Sequence, residues 1–209
     1  PYAQMFDATA GVPNASSQVF RYGAGATTLT ANWTQNIYAI TLNQQSGSGG
    51  TGTIYEKYGS GYYTNSGATT QMTTGANGIT VPSRTGYTFG GYYTATGGGG
   101  TQYIGTNGRI TSSASATAFT ANGSLYAKWT PVNYSISYNL NGGSVSGNPT
   151  SYTIETAAFT LKNPSRTGYT FTGWSGTGLS GSANTSVTVA KGSTGNRSYT
   201  ANWSANSYS

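Results

Sequence analysis

The chain of 209 residues has no cysteine, no histidine and only three acidic side chains, Asp7, Glu56 and Glu155. Without a thiol or an imidazole it cannot supply a Ser-His-Asp or Cys-His nucleophile system, a thiolate or histidine zinc site, or a redox-active cysteine pair. The three acids are far apart in sequence, so a glycosidase carboxylate pair or a calcium cage would need the fold to bring them together. We therefore predict a protein that is not an enzyme and uses no cofactor and no metal.

Charged residues and long apolar runs are also scarce. Only 6% of residues are charged, and the net charge of +6 comes from nine Lys and Arg that form no basic run. A nucleic-acid-binding protein would concentrate its basic residues in a patch, so nucleic acid is not a predicted partner. Weak attraction to anionic cell-wall polymers or host glycans is left open. No segment approaches the 18 or so apolar residues of a transmembrane helix, so no membrane span is predicted.

Glycine and tyrosine are abundant, with 32 and 18 copies, and 13% of residues are aromatic. Disordered chains are poor in aromatic residues, so this composition favours an ordered protein. Tyr and Thr favour strands, whereas Gly and Asn favour turns. The predicted fold class is β-dominated, either all-β or a small α+β fold, in which only residues 155–162 are a candidate for a short helix or crossover.

The sequence repeats itself. Residues 82–89 and 164–171 share eight consecutive identities, Pro-Ser-Arg-Thr-Gly-Tyr-Thr-Phe, and a second element ends in Trp33, Trp129 and Trp203. A fixed order of recurring elements indicates tandem modules that stack on their neighbours. The predicted organisation has four parts: residues 1–34 as the closing part of a preceding repeat, 35–130 as repeat one with insertions, 131–205 as repeat two, and 206–209 as the start of a following repeat.

Repeat two has the clearer strand pattern. Residues 133–140 alternate polar and apolar side chains, and Asn-Gly-Gly follows at 141–143, which predicts a hairpin. Gly173 interrupts a later strand and predicts a bulge that re-aims Trp174. Repeat one carries 14 extra residues before its Pro-Ser-Arg motif and 8 after it. It also has Asn-Gln-Gln-Ser-Gly at 43–47, so its first hairpin lacks the same turn signal.

These motifs resemble a known family. The stretches at 134–143, 164–174 and 199–203 are similar to the Listeria/Bacteroides repeat, the B-repeat type of internalin B and many bacterial surface proteins. The resemblance implies a β-grasp-like module strung in tandem on secreted or wall-attached bacterial proteins. It also implies a stalk, spacer or weak adhesin role at the bacterial cell surface, with no catalytic residues.

Four tyrosines are predicted binding residues for a host glycan or protein. Tyr93 and Tyr126 align with Ser175 and Thr200 of repeat two, so they are expected to point outward. Tyr62 and Tyr63 lie in the insertion, where successive strand residues face opposite sides and one of the two should be exposed. Exposed tyrosine supplies rigid aromatic area with a polar tip. The alternative is scattered surface tyrosine without a role.

The residues shared by both repeats are predicted to be structural. Because they recur at equivalent alternating positions, the tryptophans are expected to pack in the core and not to form ligand platforms; these are Trp33, Trp129, Trp174 and Trp203. Arg84 and Arg166 are expected to cover aromatic faces or bond loop carbonyls, with anion binding as the alternative.

The incomplete repeat at residues 1–33 predicts assembly. Unpaired strand edges can be used by a neighbouring repeat or another copy, which makes a self-assembling extracellular filament an alternative function. Boundaries set by an experimenter or a protease would explain the same ends. Limited proteolysis is expected to cut near Thr130 and Pro131 or in the Gly-rich insertion of repeat one.

Overall fold

The structure, a computed structural model, describes residues 18–22, 25–29 and 32–207. Across these ranges the regular structure is β-strand, apart from one short 3-10 turn at Thr96–Gly98, and no α-helix occurs. The β-dominated prediction is confirmed. Residues 155–162 form a turn and a short strand, Phe159–Thr160, in place of a helix.

The chain divides into two units between Asn36 and Ile37. The first contains an antiparallel hairpin of β1 (Gln18–Tyr22) and β2 (Gly25–Leu29). Most of the predicted assembly segment, including Asp7, lies outside the described residues, so its pairing with a neighbour stays a prediction.

Repeat one is a six-stranded sheet whose first and last long strands lie side by side. The strand order is β5-β4-β3-β8-β6-β7, in which only β3 and β8 are parallel. The strands are β3 (Ile37–Asn43), β4 (Thr53–Lys57), β5 (Gly61–Tyr63), β6 (Tyr87–Tyr93), β7 (Gln102–Ile104) and β8 (Gly123–Pro131).

Repeat two has the same central sheet with fewer strands. Its order is β10-β9-β14-β12, again with a parallel central pair, β9 and β14, and a separate two-stranded ladder joins β11 to β13. The strands are β9 (Tyr134–Asn139), β10 (Ser151–Tyr152), β11 (Phe159–Thr160), β12 (Tyr169–Gly176), β13 (Thr188–Val189) and β14 (Arg197–Ala205). The segment that carries β11 crosses from one hairpin to the other. The insertions of repeat one supply the edge strands β5 and β7.

Each repeat has its own hydrophobic core. The core of repeat one consists of Ile40, Leu42, Ile54, Tyr62, Met72, Phe89, Tyr92, Tyr103, Ile104, Leu125 and Ala127. That of repeat two consists of Ile136, Tyr152, Leu161, Trp174, Val187, Val189, Tyr199 and Ala201. Tyr92 and Trp174 occupy equivalent central positions and are completely buried. The large aromatic side chains therefore supply much of the apolar burial in these small modules.

Local glycine signals in repeat two are confirmed. The ladder between β12 and β14 shifts register between Phe171 and Gly173, and Gly173 has a positive φ of 141°. Repeat one has the same irregularity between Phe89 and Tyr92. The bulge turns the next side chain, Trp174, into the core, where it is fully buried.

The first hairpin of repeat one forms without the Asn-Gly-Gly turn. Gln45 and Ser46 have φ values of 49° and 67°, close to the 48° and 82° of Asn141 and Gly142 in repeat two. A left-handed conformation is costly for residues other than glycine. Other contacts must therefore hold this turn in shape.

Candidate functional site

The first hairpin turn of each repeat is held by the tryptophan that ends that repeat. The indole Nε1 of Trp129 donates to the Gln44 carbonyl at 2.8 Å, and that of Trp203 donates to the Leu140 carbonyl at 3.1 Å. Each indole also meets a phenylalanine ring edge to face at 5.5 Å, as Trp129 does with Phe89. The last strand of each repeat thus fastens the first hairpin.

The structural role of tryptophan is confirmed for three of the four residues and wrong for Trp33. Trp174 is fully buried, and Trp129 and Trp203 pack on the two cores. Trp33 is 67% exposed. Within the described residues around it, no partner corresponds to the phenylalanine and turn carbonyl that hold Trp129.

The two arginines of the Pro-Ser-Arg motif stack on tyrosine, as predicted. The guanidinium carbon lies 3.8 Å from the ring centroid of Tyr87 for Arg84, and 3.6 Å from that of Tyr169 for Arg166. Arg84 also donates to the Gln45 carbonyl at 3.4 Å. In both repeats the Arg and the Tyr are the first and last residues of a β-turn, which we name the Arg-Tyr turn (residues 84–87 and 166–169).

The Arg-Tyr turn of repeat one makes the contact between the two repeats. The Val132 amide donates to the Gly86 carbonyl at 2.9 Å, and the Tyr87 hydroxyl donates to Glu155 Oε1 at 2.8 Å. The bond to Glu155 raises the pKa of the Tyr87 hydroxyl. A Cβ at Gly86 would lie 2.6 Å from Ile154 Cδ1, so the glycine lets the two repeats approach closely.

The prediction that one of Tyr62 and Tyr63 is exposed is wrong. Their side chains are only 2% and 9% exposed. The Tyr62 ring meets Tyr103 edge to face at 5.8 Å. The chain after β5 then folds back over this strand. The Met72 amide donates to the Tyr62 carbonyl, and Tyr63 forms an isolated β-bridge with Gln71. Their binding role stays a prediction, one that would require the insertion to open.

Tyr93 and Tyr126 lie together on the outer face of repeat one. They are directly opposite each other on β6 and β8, and both are half-buried. The Lys128 ammonium lies 5.7 Å from the centroid of the Tyr93 ring, and its aliphatic chain lies against Gly98 and Gly90. We name Tyr93, Tyr126 and Lys128 the outer-face cluster. Aromatic rings beside a cation suit sugars and acidic groups.

Repeat two has no such cluster, because the side chain at the position of Lys128 is an asparagine that forms internal hydrogen bonds. Asn202, the equivalent of Lys128, donates to the Gly173 carbonyl and to Ser175 Oγ, each at 3.1 Å. The neighbouring pair on this ladder is polar, because Ser175 and Thr200 stand directly opposite each other where repeat one has Tyr93 and Tyr126. The outer-face cluster is therefore a property of repeat one and not of the shared module.

Glu56 is a buried carboxylate that the sequence analysis did not single out. Its side chain is 0% exposed and accepts hydrogen bonds from the amides of Ala118 and Phe119 at 3.0 and 2.9 Å. Burial raises the pKa of Glu56, although both amide bonds oppose the rise. The sequence did contain a signal for this burial. Glu56 lies two residues after Ile54 on β4, so both side chains point to the same, inward face of the strand.

Tyr92 is a second buried polar group with a particular environment. Its hydroxyl has no hydrogen-bond partner among the described residues, and burial raises its pKa to about 12. In repeat two the equivalent Trp174 donates from Nε1 to Asn163 Oδ1 at 3.2 Å. Val81 stands where Asn163 would supply the acceptor.

Two features are absent from residues 18–22, 25–29 and 32–207. No cluster of three His, Cys, Asp or Glu side chains that could hold a metal ion occurs there. Nor does any helix in those ranges have the length and apolar character needed to cross a membrane.

Comparison with known proteins identifies the repeated module. The Listeria-Bacteroides repeat domain matches residues 38–128 and, a second time, residues 134–201. No curated protein and no solved structure matches the chain. Repeats of this family are typical of bacterial surface proteins. The two matched segments coincide with two sheets that share strand order, tryptophan anchor and Arg-Tyr turn, and the chain therefore belongs to the Listeria-Bacteroides repeat family, of which it carries two tandem copies.

Proposed function

We propose that the chain is a non-catalytic stalk or spacer segment of a secreted or cell-surface bacterial protein. The observation that carries this proposal is the direct contact between the repeats. Only Val132 and Asn133 separate β8 from β9, and Gly86 and Tyr87 of repeat one meet Ile154 and Glu155 of repeat two. Modules joined in this way hold their outer ends at a fixed separation, which is what a spacer requires.

Surface labelling of intact cells tests this proposal. Antibodies raised against residues 37–207 should bind unpermeabilised cells of the source bacterium, and brief external proteolysis should remove the signal. A cytoplasmic protein of the same cells serves as the control for lysis. Labelling that appears only after lysis would overturn the proposal.

A second candidate function is binding of a glycan or protein by the outer-face cluster. It is favoured by the pairing of Tyr93 with Tyr126 beside Lys128, at a position that repeat two fills with an internally bonded asparagine. Aromatic area of this kind contacts sugars and proteins at low entropic cost. The role would be that of an adhesin module.

The binding proposal is tested by giving repeat one the residues of repeat two. The double variant Tyr93→Ser, Tyr126→Thr should lose binding to glycan arrays and purified cell-wall polymer, with unfolding little changed. Tyr169→Ser, which removes an exposed tyrosine elsewhere, is the matched control and should retain binding. A blank array and no retention of polymer by the unaltered protein would end this proposal.

The filament alternative stays a prediction, because it depends on residues 1–33. Light scattering of the purified chain over a wide range of concentration tests it. A strictly monomeric chain whose residues 1–33 are sensitive to protease would contradict assembly.

A further inference from the structure

The contact between the two repeats joins the tips of two β-turns. One is the Arg-Tyr turn of repeat one, closed by the Tyr87 amide to the Arg84 carbonyl at 3.1 Å. The other follows β10 and is closed by the Thr156 amide to the Thr153 carbonyl, also at 3.1 Å, with Ile154 and Glu155 at its tip. We name residues 153–156 the Ile-Glu turn.

Repeat two has an Arg-Tyr turn of the same geometry. The Tyr169 amide donates to the Arg166 carbonyl at 3.2 Å, and Gly168 has the same φ of 76° as Gly86. The Asn206 amide donates to the Gly168 carbonyl at 3.0 Å, as the Val132 amide does to Gly86. The chain therefore leaves repeat two along the same path by which it leaves repeat one.

The tip of this second turn is uncovered in the described structure. A Cβ at Gly168 would meet none of the described atoms within 4 Å, whereas one at Gly86 would collide with Ile154. Tyr169 is 37% exposed, and its ring carries the Arg166 guanidinium on one face. The space left by the missing side chain of Gly168 fits an apolar side chain. The neighbouring Tyr169 hydroxyl and Arg166 guanidinium suit a carboxylate on the residue that follows it.

We propose that the Arg-Tyr turn of repeat two is a docking surface for a further repeat module that presents an Ile-Glu turn. This rests on the proposed spacer function and adds the contact that fixes one module on the next. The partner is another module of this type and not a glycan, because the equivalent turn of repeat one contacts Ile154 and Glu155 where the two repeats meet. The orientation between repeats one and two should then recur between repeat two and its neighbour.

The test extends the chain by one module. Residues 1–207 are followed by a second copy of residues 134–207, so that the added Tyr134 takes the place of Tyr208. The contact between repeats one and two is the first junction, and that between repeat two and the added copy is the second. For the first junction, spin labels are attached to cysteines introduced by Thr41→Cys and Ser137→Cys, which are exposed, equivalent strand positions. For the second junction, Ser137→Cys is made in both copies. Because the chain has no cysteine of its own, each label is unique.

Electron–electron distance measurements should give two narrow distributions that coincide. Ile154→Asp in the added copy alone should broaden the second distribution and leave the first unchanged. The same substitution in the original repeat two is the matched control and should broaden only the first. A broad second distribution in the unsubstituted protein would overturn the proposal, as would a narrow one that Ile154→Asp in the added copy does not change.

A failure here is distinguishable from failure of the spacer function. Surface labelling of intact cells does not depend on how repeat two meets a further module. Broad second-junction distances with positive cell labelling would refute the docking surface alone. The tryptophan fluorescence of the extended chain and of its variants reports whether every module is folded.

Discussion

At the scale of single residues, the indole that packs on each first-hairpin turn requires glycine at one position of that turn, Gly47 in repeat one and Gly143 in repeat two. A Cβ at Gly47 would lie 2.5 Å from Trp129 Cζ2, and one at Gly143 would collide in the same way with Trp203. The tryptophan can reach the turn carbonyl only because no side chain stands there. Glycine at this position is therefore needed for the close approach of the indole and not for a positive φ, which neither residue has.

Gly47→Ala should destabilise repeat one by about 1–3 kcal/mol, since the methyl group must push Trp129 off the turn. Gly143→Ala should have an effect of similar size on repeat two. Gly52→Ala is the control, because its Cβ would meet nothing within 4 Å. Urea unfolding followed by tryptophan fluorescence measures all three. Equal stability of Gly47→Ala and Gly52→Ala would contradict the anchor.

The unpartnered hydroxyl of Tyr92 leads to a substitution that should not destabilise the protein. Tyr92→Phe keeps the ring and removes a polar group whose burial without a partner costs about 1–3 kcal/mol. We expect repeat one to be equally stable or more stable in thermal unfolding. Val81→Asn, which restores the acceptor that Asn163 provides in repeat two, should also be tolerated. A marked loss of stability in Tyr92→Phe would show that the hydroxyl has a partner.

Burial of Glu56 should make stability depend on pH. Because its pKa is raised in the folded protein, the folded state retains a proton that the unfolded state loses near pH 4.5. Stability should therefore fall as the pH rises from 4.5 through the raised pKa, and then level off. Melting temperatures measured across this range for the protein and for Glu56→Gln test this prediction. An identical slope in Glu56→Gln would contradict it.

At the scale of elements, limited proteolysis separates two predicted cleavage regions. Residues 73–78 of the insertion are all exposed, whereas Thr130 and Pro131 belong to β8 and pair with Thr88 and Tyr87. A protease needs an extended, accessible segment, so a nonspecific protease should cut first in the insertion. Mass spectrometry of early fragments measures this order. Initial cleavage at 130–133 would show that the contact between repeats opens more readily than the insertion.

The sequence predicted those elements whose signal is local. Alternation over 133–140, the turn at 141–143 and Gly173 each reflect the backbone of a few residues, and the structure has the hairpin and the bulge there. The turn at 45–46 was missed because Gln and Ser carry no positive-φ signal. Its shape is held by Trp129, which lies more than 80 residues away in sequence, as the bond to Gln44 shows.

The candidate sites show the same division between local and distant causes. Comparison of the repeats correctly paired Tyr93 and Tyr126 with polar positions of repeat two, and the ladder places them side by side. The exposure of Tyr62 or Tyr63 was predicted from strand alternation alone. That rule assumes that one face of the strand meets water, and the residues after β5 fold back over it. Lys128 was missed because its contacts, Gly90 and Gly98, come from separate parts of the chain.

At the scale of the whole molecule, the parallel pairing of the first and last strands has a mechanical consequence. Tension on the chain pulls the start of β9 and the end of β14 in opposite directions along one ladder, whose register runs from Ile136 with Arg197 to Asn139 with Thr200. The hydrogen bonds are then sheared together and cannot open one after another. Each repeat should resist stretching with a high force peak in single-molecule pulling, so that a stalk built from such repeats stays folded under load.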